Sequence, residues 1–132
     1  MQTRKQDYAT SAFNQVKEIK DKPEAYNKKR YGSMAHKLPV LIRSAGLAVA
    51  LEFVQSRGKD EHRDLLTHLG KTVLAGRNDN KSLLELSREA QLRDYTRLTR
   101  QCLEALLWYK RFAESVLDVK AGDDNDMPGG AD

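Results

Sequence analysis

The chain has 132 residues with 23 Lys and Arg against 19 Asp and Glu, a net charge of +4 and a single cysteine, which sets one domain around one core and rules out an intrachain disulfide. Nothing at the N-terminus has the apolar core of a signal peptide, so an intracellular protein is expected. The three histidines and Cys102 are scattered, His62 and His68 standing six apart on different helix faces, so neither a metal site nor a cofactor is expected.

The charge is uneven. Residues 1–59 carry 12 basic against 5 acidic side chains, residues 60–117 carry 10 against 9, and residues 118–132 carry 1 against 5. That asymmetry suits a polyanionic partner, although many charges in any helical protein are solvated faces.

Thr3 and Gln6 have the spacing of a capping box, and Tyr8, Ala9, Ala12, Phe13, Val16 and Ile19 then recur at helical spacing, predicting a helix over Arg4–Lys20. Lys17, Lys20 and Lys22 crowd its end, where cations complement the helix dipole. Pro23 is expected to open a second helix with Tyr31, Met34, Ala35 and Leu38 inward and Lys29, Ser33, His36 and Lys37 facing the opposite way. Pro39 lacks an amide hydrogen and pushes Leu38 from the α region, so this helix should end or kink there and a new one begin.

Between Val40 and Val54 only Arg43, Ser44, Gly46 and Glu52 interrupt apolar side chains, predicting a central helix wrapped by others. Arg43, Gly46, Ala50 and Arg57 form a narrow stripe where a neighbouring backbone could approach closely. The stretch is too short for a membrane span, which needs ~20 apolar residues, and it carries Arg43 and Glu52.

Gly58 suits a helix end, and Asp60 can cap a helix bearing Leu65, Leu66, Leu69, Val73 and Leu74 that stops near Gly76. Residues 78–80 read as a turn, and Ser82 with Glu85 offers a second capping box before Leu83, Leu84 and Leu86. A long final helix should run to about Val119 with Tyr95, Thr99, Cys102, Leu106, Tyr109, Ala113 and Val116 inward, Cys102 as core filler. Residues 120–132 are acidic and rich in Gly and Pro, so disorder is expected. With no strand pattern, repeat, phosphate loop or nucleophile motif, the fold class is all-α: a compact antiparallel bundle of about five or six helices over residues 1–119 around the central apolar helix. No enzymatic activity is expected.

Three features rise above an ordinary bundle. The run Lys28, Lys29, Arg30, extended by Lys37 and Arg43, is either solvated charge or a phosphate-contacting patch. On the final helix Arg93, Arg97, Arg100 and Arg111 lie within about 40° of one line, interrupted by Glu104. Glu85, Glu89 and Asp94 are near enough for exposed ion pairs of only ~0.5 kcal/mol each, which leaves RNA or an acidic protein surface as a partner. Leu107 and Trp108 project to that same outer face and need cover from another helix or from a partner subunit, with Arg111 beside them.

The segment KKRYGSMAHKLPVLIRSAGLAVALEFVQS, residues 28–56, resembles the small all-helical (fifth) subunit of the type III-B CRISPR-Cas Cmr RNA-silencing complex. YTRLTRQCLEALLWYKRFAE, residues 95–114, is similar to that family's closing pattern, and the arginine-containing opening before Tyr8 and Ala9 fits as well. The resemblance implies a cytoplasmic prokaryotic protein of antiviral defence. It would stack on neighbouring copies of itself beside the backbone and other Cmr subunits, and line the groove that holds guide RNA and target RNA. It implies no chemistry in this chain, since target cleavage in the family belongs to the backbone subunit. A small helix-turn-helix-like DNA-binding regulator is the rival; it would need an exposed recognition helix, and Asp60, Glu61 and Asp64 would face phosphates badly. A bundle enzyme would need the inward Glu and Glu-x-x-His ligands that this chain lacks.

Overall fold

The computed structural model describes residues 2–77 and 80–123. Six helices are formed: α1 (Arg4–Lys20), α2 (Lys28–Ala45), α3 (Leu47–Ser56), α4 (Asp60–Val73), α5 (Leu83–Glu89) and α6 (Leu92–Ser115). The described residues contain no strand.

Helix α1 starts where its capping box predicts, with Thr3 Oγ1 accepting from the Gln6 amide at 3.2 Å and Gln6 Oε1 from the Thr3 amide at 2.8 Å. Tyr8, Ala12, Val16 and Ile19 are buried, while Phe13 remains 41% exposed. Pro23 does not open the second helix. It shapes a turn closed by the Tyr26 amide on the Pro23 carbonyl, and Asn27 caps α2 through its side chain, which accepts from the Arg30 amide at 2.9 Å. An Asx cap satisfies an end amide that a proline four residues upstream cannot reach.

Helix α2 then passes through Pro39 without ending. Leu38 and Pro39 are both buried, so packing on either side holds the helix across the missing rung. The break comes instead at Gly46, where φ 90° and ψ 160° define a backbone conformation that side chains other than glycine rarely adopt. The long apolar helix is therefore two helices, and the stripe through Arg43, Gly46, Ala50 and Arg57 is divided between them. Val40 and Val49, at 54% and 60% exposure, lie open on either side of the break.

Helix α4 touches all five other helices, while α2 and α3 together touch α4, α5 and α6. Helices α1 and α6 run in the same direction, as Arg4 meets Glu104 and Phe13 meets Phe112. Helix α2 opposes α6, with Gly46 near Tyr95 and Gly32 near Val119. At their centre a polar relay is buried among leucines. The Tyr109 hydroxyl donates to the His68 carbonyl at 2.9 Å. With its single hydrogen so placed it accepts from Thr72 at 2.8 Å, and Thr72 in turn accepts from Ser11 at 2.7 Å. Tyr31 meets His68 Nδ1 at 2.7 Å.

The last helix stops at Ser115 rather than near Val119, and the chain turns back as a short strap over α2. The Val119 amide donates to the Ala113 carbonyl, Val119 is buried, and His36 Nε2 donates to the Val119 carbonyl at 2.9 Å. The assignment of α2's outer face is corrected, with the strap covering it at Gly32 and His36. Ser33, His36 and Lys37, expected to face away from the core, are 1%, 6% and 7% exposed. The turn expected at residues 78–80 lies partly outside the described residues, as does the disorder expected for residues 120–132, of which 124–132 are not described. At the near end of that segment the Lys120 amide donates to Asp123 Oδ2 at 2.7 Å.

Candidate nucleic-acid interface

The cationic run at the start of α2 is divided by its own neighbours. Lys28 Nζ donates to the Lys20 carbonyl at 2.7 Å, closing the C-terminal end of α1. Arg30 pairs with Glu61 at 3.2 Å, and Glu61 also accepts from the Asn27 amide. Burial pushes the Glu61 carboxyl up, but these hydrogen bonds, one from its own backbone among them, outweigh it and hold the group below the usual carboxylate range. Lys37 is buried, whereas Lys29 and Arg43 are exposed with no ion pair among the described residues. The helical period places Lys29, His36, Val40 and Arg43 on one face, and the strap crosses that face at His36.

On α6 the arginines remain together. Arg93, Arg97 and Arg100 are all exposed, and of the acids expected to neutralise them all but Asp94 are engaged elsewhere. Glu104 takes both forks of Arg4 at 2.9 and 3.1 Å, Glu89 pairs with Lys81, and Glu85 closes its capping box on the Ser82 amide. Asp94 approaches Arg97 only to 3.8 Å. Arg93 and Arg100 have no ion pair among the described residues, so a two-turn row of guanidinium groups faces outward.

Further along the same face, Leu107 is 46% exposed. Trp108 is half-buried, stacked on Phe112 with ring centroids 5.9 Å apart, and Arg111 sits 5.5 Å over the indole. Phe112 meets the edge of Phe13 at 5.5 Å, so α1 supplies part of the cover and an apolar patch of Phe13 and Leu107 stays open. Phe13 belongs to this patch rather than to the core. Helical spacing pointed it inward, and only the parallel α1–α6 pairing, which no local pattern encodes, turns it outward.

Among the described residues no group of three or more His, Cys, Asp or Glu could hold a metal ion. Burial pushes the Cys102 thiol up to about 12, so it stays protonated and inert. The first turn of α4 makes a poor recognition element, since Glu61 is tied to Arg30 and Asp64 accepts from the Tyr26 hydroxyl at 2.7 Å. No helix among the described residues is long and apolar enough to cross a membrane.

The sequence model of the family described as CRISPR-associated protein (Cas_Cmr5) matches residues 4–116. The CRISPR system Cmr subunit Cmr5 of Thermus thermophilus is 43% identical over 118 residues, which cover 89% of this chain and 99% of that protein. An X-ray crystal structure of a CRISPR-associated Cmr5 family protein from the same organism superposes with a TM-score of 0.77 at 44% identity, covering 89% of this chain and 99% of that one. A match across almost the whole helical core, in sequence and in fold, assigns the chain to the Cmr5 family of CRISPR-associated proteins.

Proposed function

We propose that this chain is the small, non-catalytic subunit of a type III-B CRISPR Cmr effector in the prokaryotic cytoplasm, scaffolding the ribonucleoprotein and touching the backbone of guide or target RNA through basic side chains. The observation that carries the RNA contact is the row Arg93, Arg97 and Arg100, where Asp94 meets only Arg97 and the other neighbouring carboxylates are drawn off by Arg4, Lys81 and a capping box. Guanidinium forks suit phosphate, and backbone contacts position a duplex without reading it, which leaves sequence specificity to guide pairing. Lys29 and Arg43 form a smaller second set on α2. Lys28, Arg30 and Lys37, engaged or buried, belong to the fold before they belong to RNA. The exposed Leu107, with Trp108 and Arg111, is the face offered to the other Cmr subunits or to a neighbouring copy.

Charge reversal within the assembled complex tests this reading. Arg93→Glu and Arg97→Glu should weaken binding of unrelated RNA sequences equally, and shrink the log-log salt slope by roughly 0.7 to 0.9 for each phosphate contact removed. Lys29→Glu and Arg43→Glu form the comparison set. A reduced slope for that set alone would move the RNA to α2, and unchanged slopes for both would leave a scaffold that touches only protein.

A further inference from the structure

A groove of about 780 Å³ runs between α4 and α5, bordered by Leu51 and Gln55 of α3, and it shares no residue with the α6 face described above. On α4 it follows a single face, since Arg63, Leu66, Thr67, Gly70, Lys71 and Leu74 recur at helical spacing. That stretch is about 16 Å long, three turns of helix. At its floor an added Cβ on Gly70 would meet only Leu83 Cβ, at 3.8 Å, so Gly70 leaves open the space between the two helices.

The groove has two chemistries. Leu66, Leu74 and Leu84, all half-buried, join the buried Leu83 in an apolar wall. Among the described residues five cations line it against one acid, Glu85, whose carboxylate already closes the capping box on the Ser82 amide. Lys71 and Arg88 are exposed and have no ion pair among the described residues. Nucleic acid would answer the charge, but no aromatic side chain lines the groove for a base to stack on, and leucines offer nothing to a phosphate. A wholly apolar partner would cover the leucines and desolvate Lys71 and Arg88 without a counter-charge. A helix that is apolar along one stripe and acidic along its edges meets both halves. Spacing fits that form: Leu66 and Leu74, eight residues apart, lie about 12 Å apart along α4, the rise between apolar side chains seven or eight apart on a second helix laid beside it.

We propose that this groove receives an acidic amphipathic helix of a partner protein, its apolar stripe over Leu66, Leu74 and Leu84 and its carboxylates on Lys71 and Arg88. The test titrates the full chain with a fluorescent synthetic helix of about four turns, with leucines along one stripe and glutamates on its flanks. Binding should saturate and shift the methyl resonances of Leu66, Leu74 and Leu84 while those of the α1–α6 core stay in place. Lys71→Glu with Arg88→Glu should weaken it by about tenfold or more, as should about 0.5 M salt, which screens charges beyond roughly 4 Å. Thr67→Trp, on the same face of α4, should block the groove by bulk with its charges intact. All three positions are exposed, so an unchanged melting temperature serves as the control. A scrambled peptide of the same composition, and one with a central proline, should leave the methyls unmoved.

Absence of saturable binding would overturn the proposal, and so would equal binding of the scrambled or proline peptide, or a charge reversal without effect. An oligouridylate that shifts the same methyls and displaces the peptide would overturn it too and give the groove to RNA. None of these outcomes depends on the α6 arginines, so the function proposed above stands or falls separately.

Discussion

A Cβ added at residue 32 would lie 2.7 Å from Val119 Cβ, a separation at which one of the two must move. Gly32→Ala should therefore lift the strap and cost about 1–3 kcal/mol, the usual range for overpacking. In a Val119→Gly background the same substitution should cost much less, and equal costs in both backgrounds, read from denaturant midpoints, would place the strain elsewhere. His68 carries a second residue-scale expectation. Burial first, and then Lys71, hold its pKa below 6.5 against the opposing pull of Asp64 and Glu18, and its Nδ1 faces the Tyr31 hydroxyl at 2.7 Å. A folded-state value below the unfolded one means the unfolded chain binds the extra proton, so this stabilising contribution is whole above the unfolded value of ~6.5 and is lost as pH falls below it. Unfolding midpoints at about pH 7.5 and 5.5 should differ in the native chain and converge in His68→Gln. An unchanged difference in the variant would assign the pH dependence to other groups.

At the scale of elements the decisive residue is Gly46. Its backbone region is almost exclusive to glycine, so Gly46→Ala should cost about 1–3 kcal/mol in thermal or chemical unfolding. The break also frees the first amides of α3, and the Tyr95 hydroxyl accepts from the Ala48 amide at 3.0 Å where α3 has no cap of its own. Tyr95→Phe should cost about 1–3 kcal/mol if it leaves that amide unsatisfied, and no loss would show that water replaces the hydroxyl. Both capping boxes were legible in the sequence because each is closed within four residues. Pro39 was misleading for the opposite reason: its local preference is real, but burial of Leu38 and Pro39 overrides it, and the break goes to the nearby glycine whose own conformational freedom was the stronger signal. His36 read as part of an outer face because Val119, whose carbonyl it meets, stands some 80 residues later, and no helical periodicity reports a strap. The arginine row on α6 was legible as a row. That its acids are drawn off by Arg4 and Lys81 required the packing of α1 on α6 and the approach of Lys81 to α5.

For the whole molecule, α4 holds the bundle together while α1 and α6, running side by side, leave one long outer face. It is basic toward Arg93 and apolar toward Leu107, and the function proposed above offers the first end to RNA and the second to protein. Substitutions at Leu107 and Trp108 test folding and assembly separately along that face. Trp108 is half-buried against Phe112, so Trp108→Ala should cost the monomer about 1 kcal/mol in lost stacking as well as weakening assembly. Leu107 is 46% exposed, so Leu107→Asp should change monomer stability by no more than about 0.5 kcal/mol. At an interface the same change places a charge against an apolar partner. Association with the neighbouring Cmr subunits, or with a second copy, should then weaken by about 2 kcal/mol or more, near thirtyfold in dissociation constant. Copurification and analytical ultracentrifugation of Leu107→Asp read this directly, with the melting temperature as control. Intact assembly with an unchanged melting temperature would remove this patch from the interface and direct the search to Val40 and Val49, apolar side chains left open on either side of Gly46.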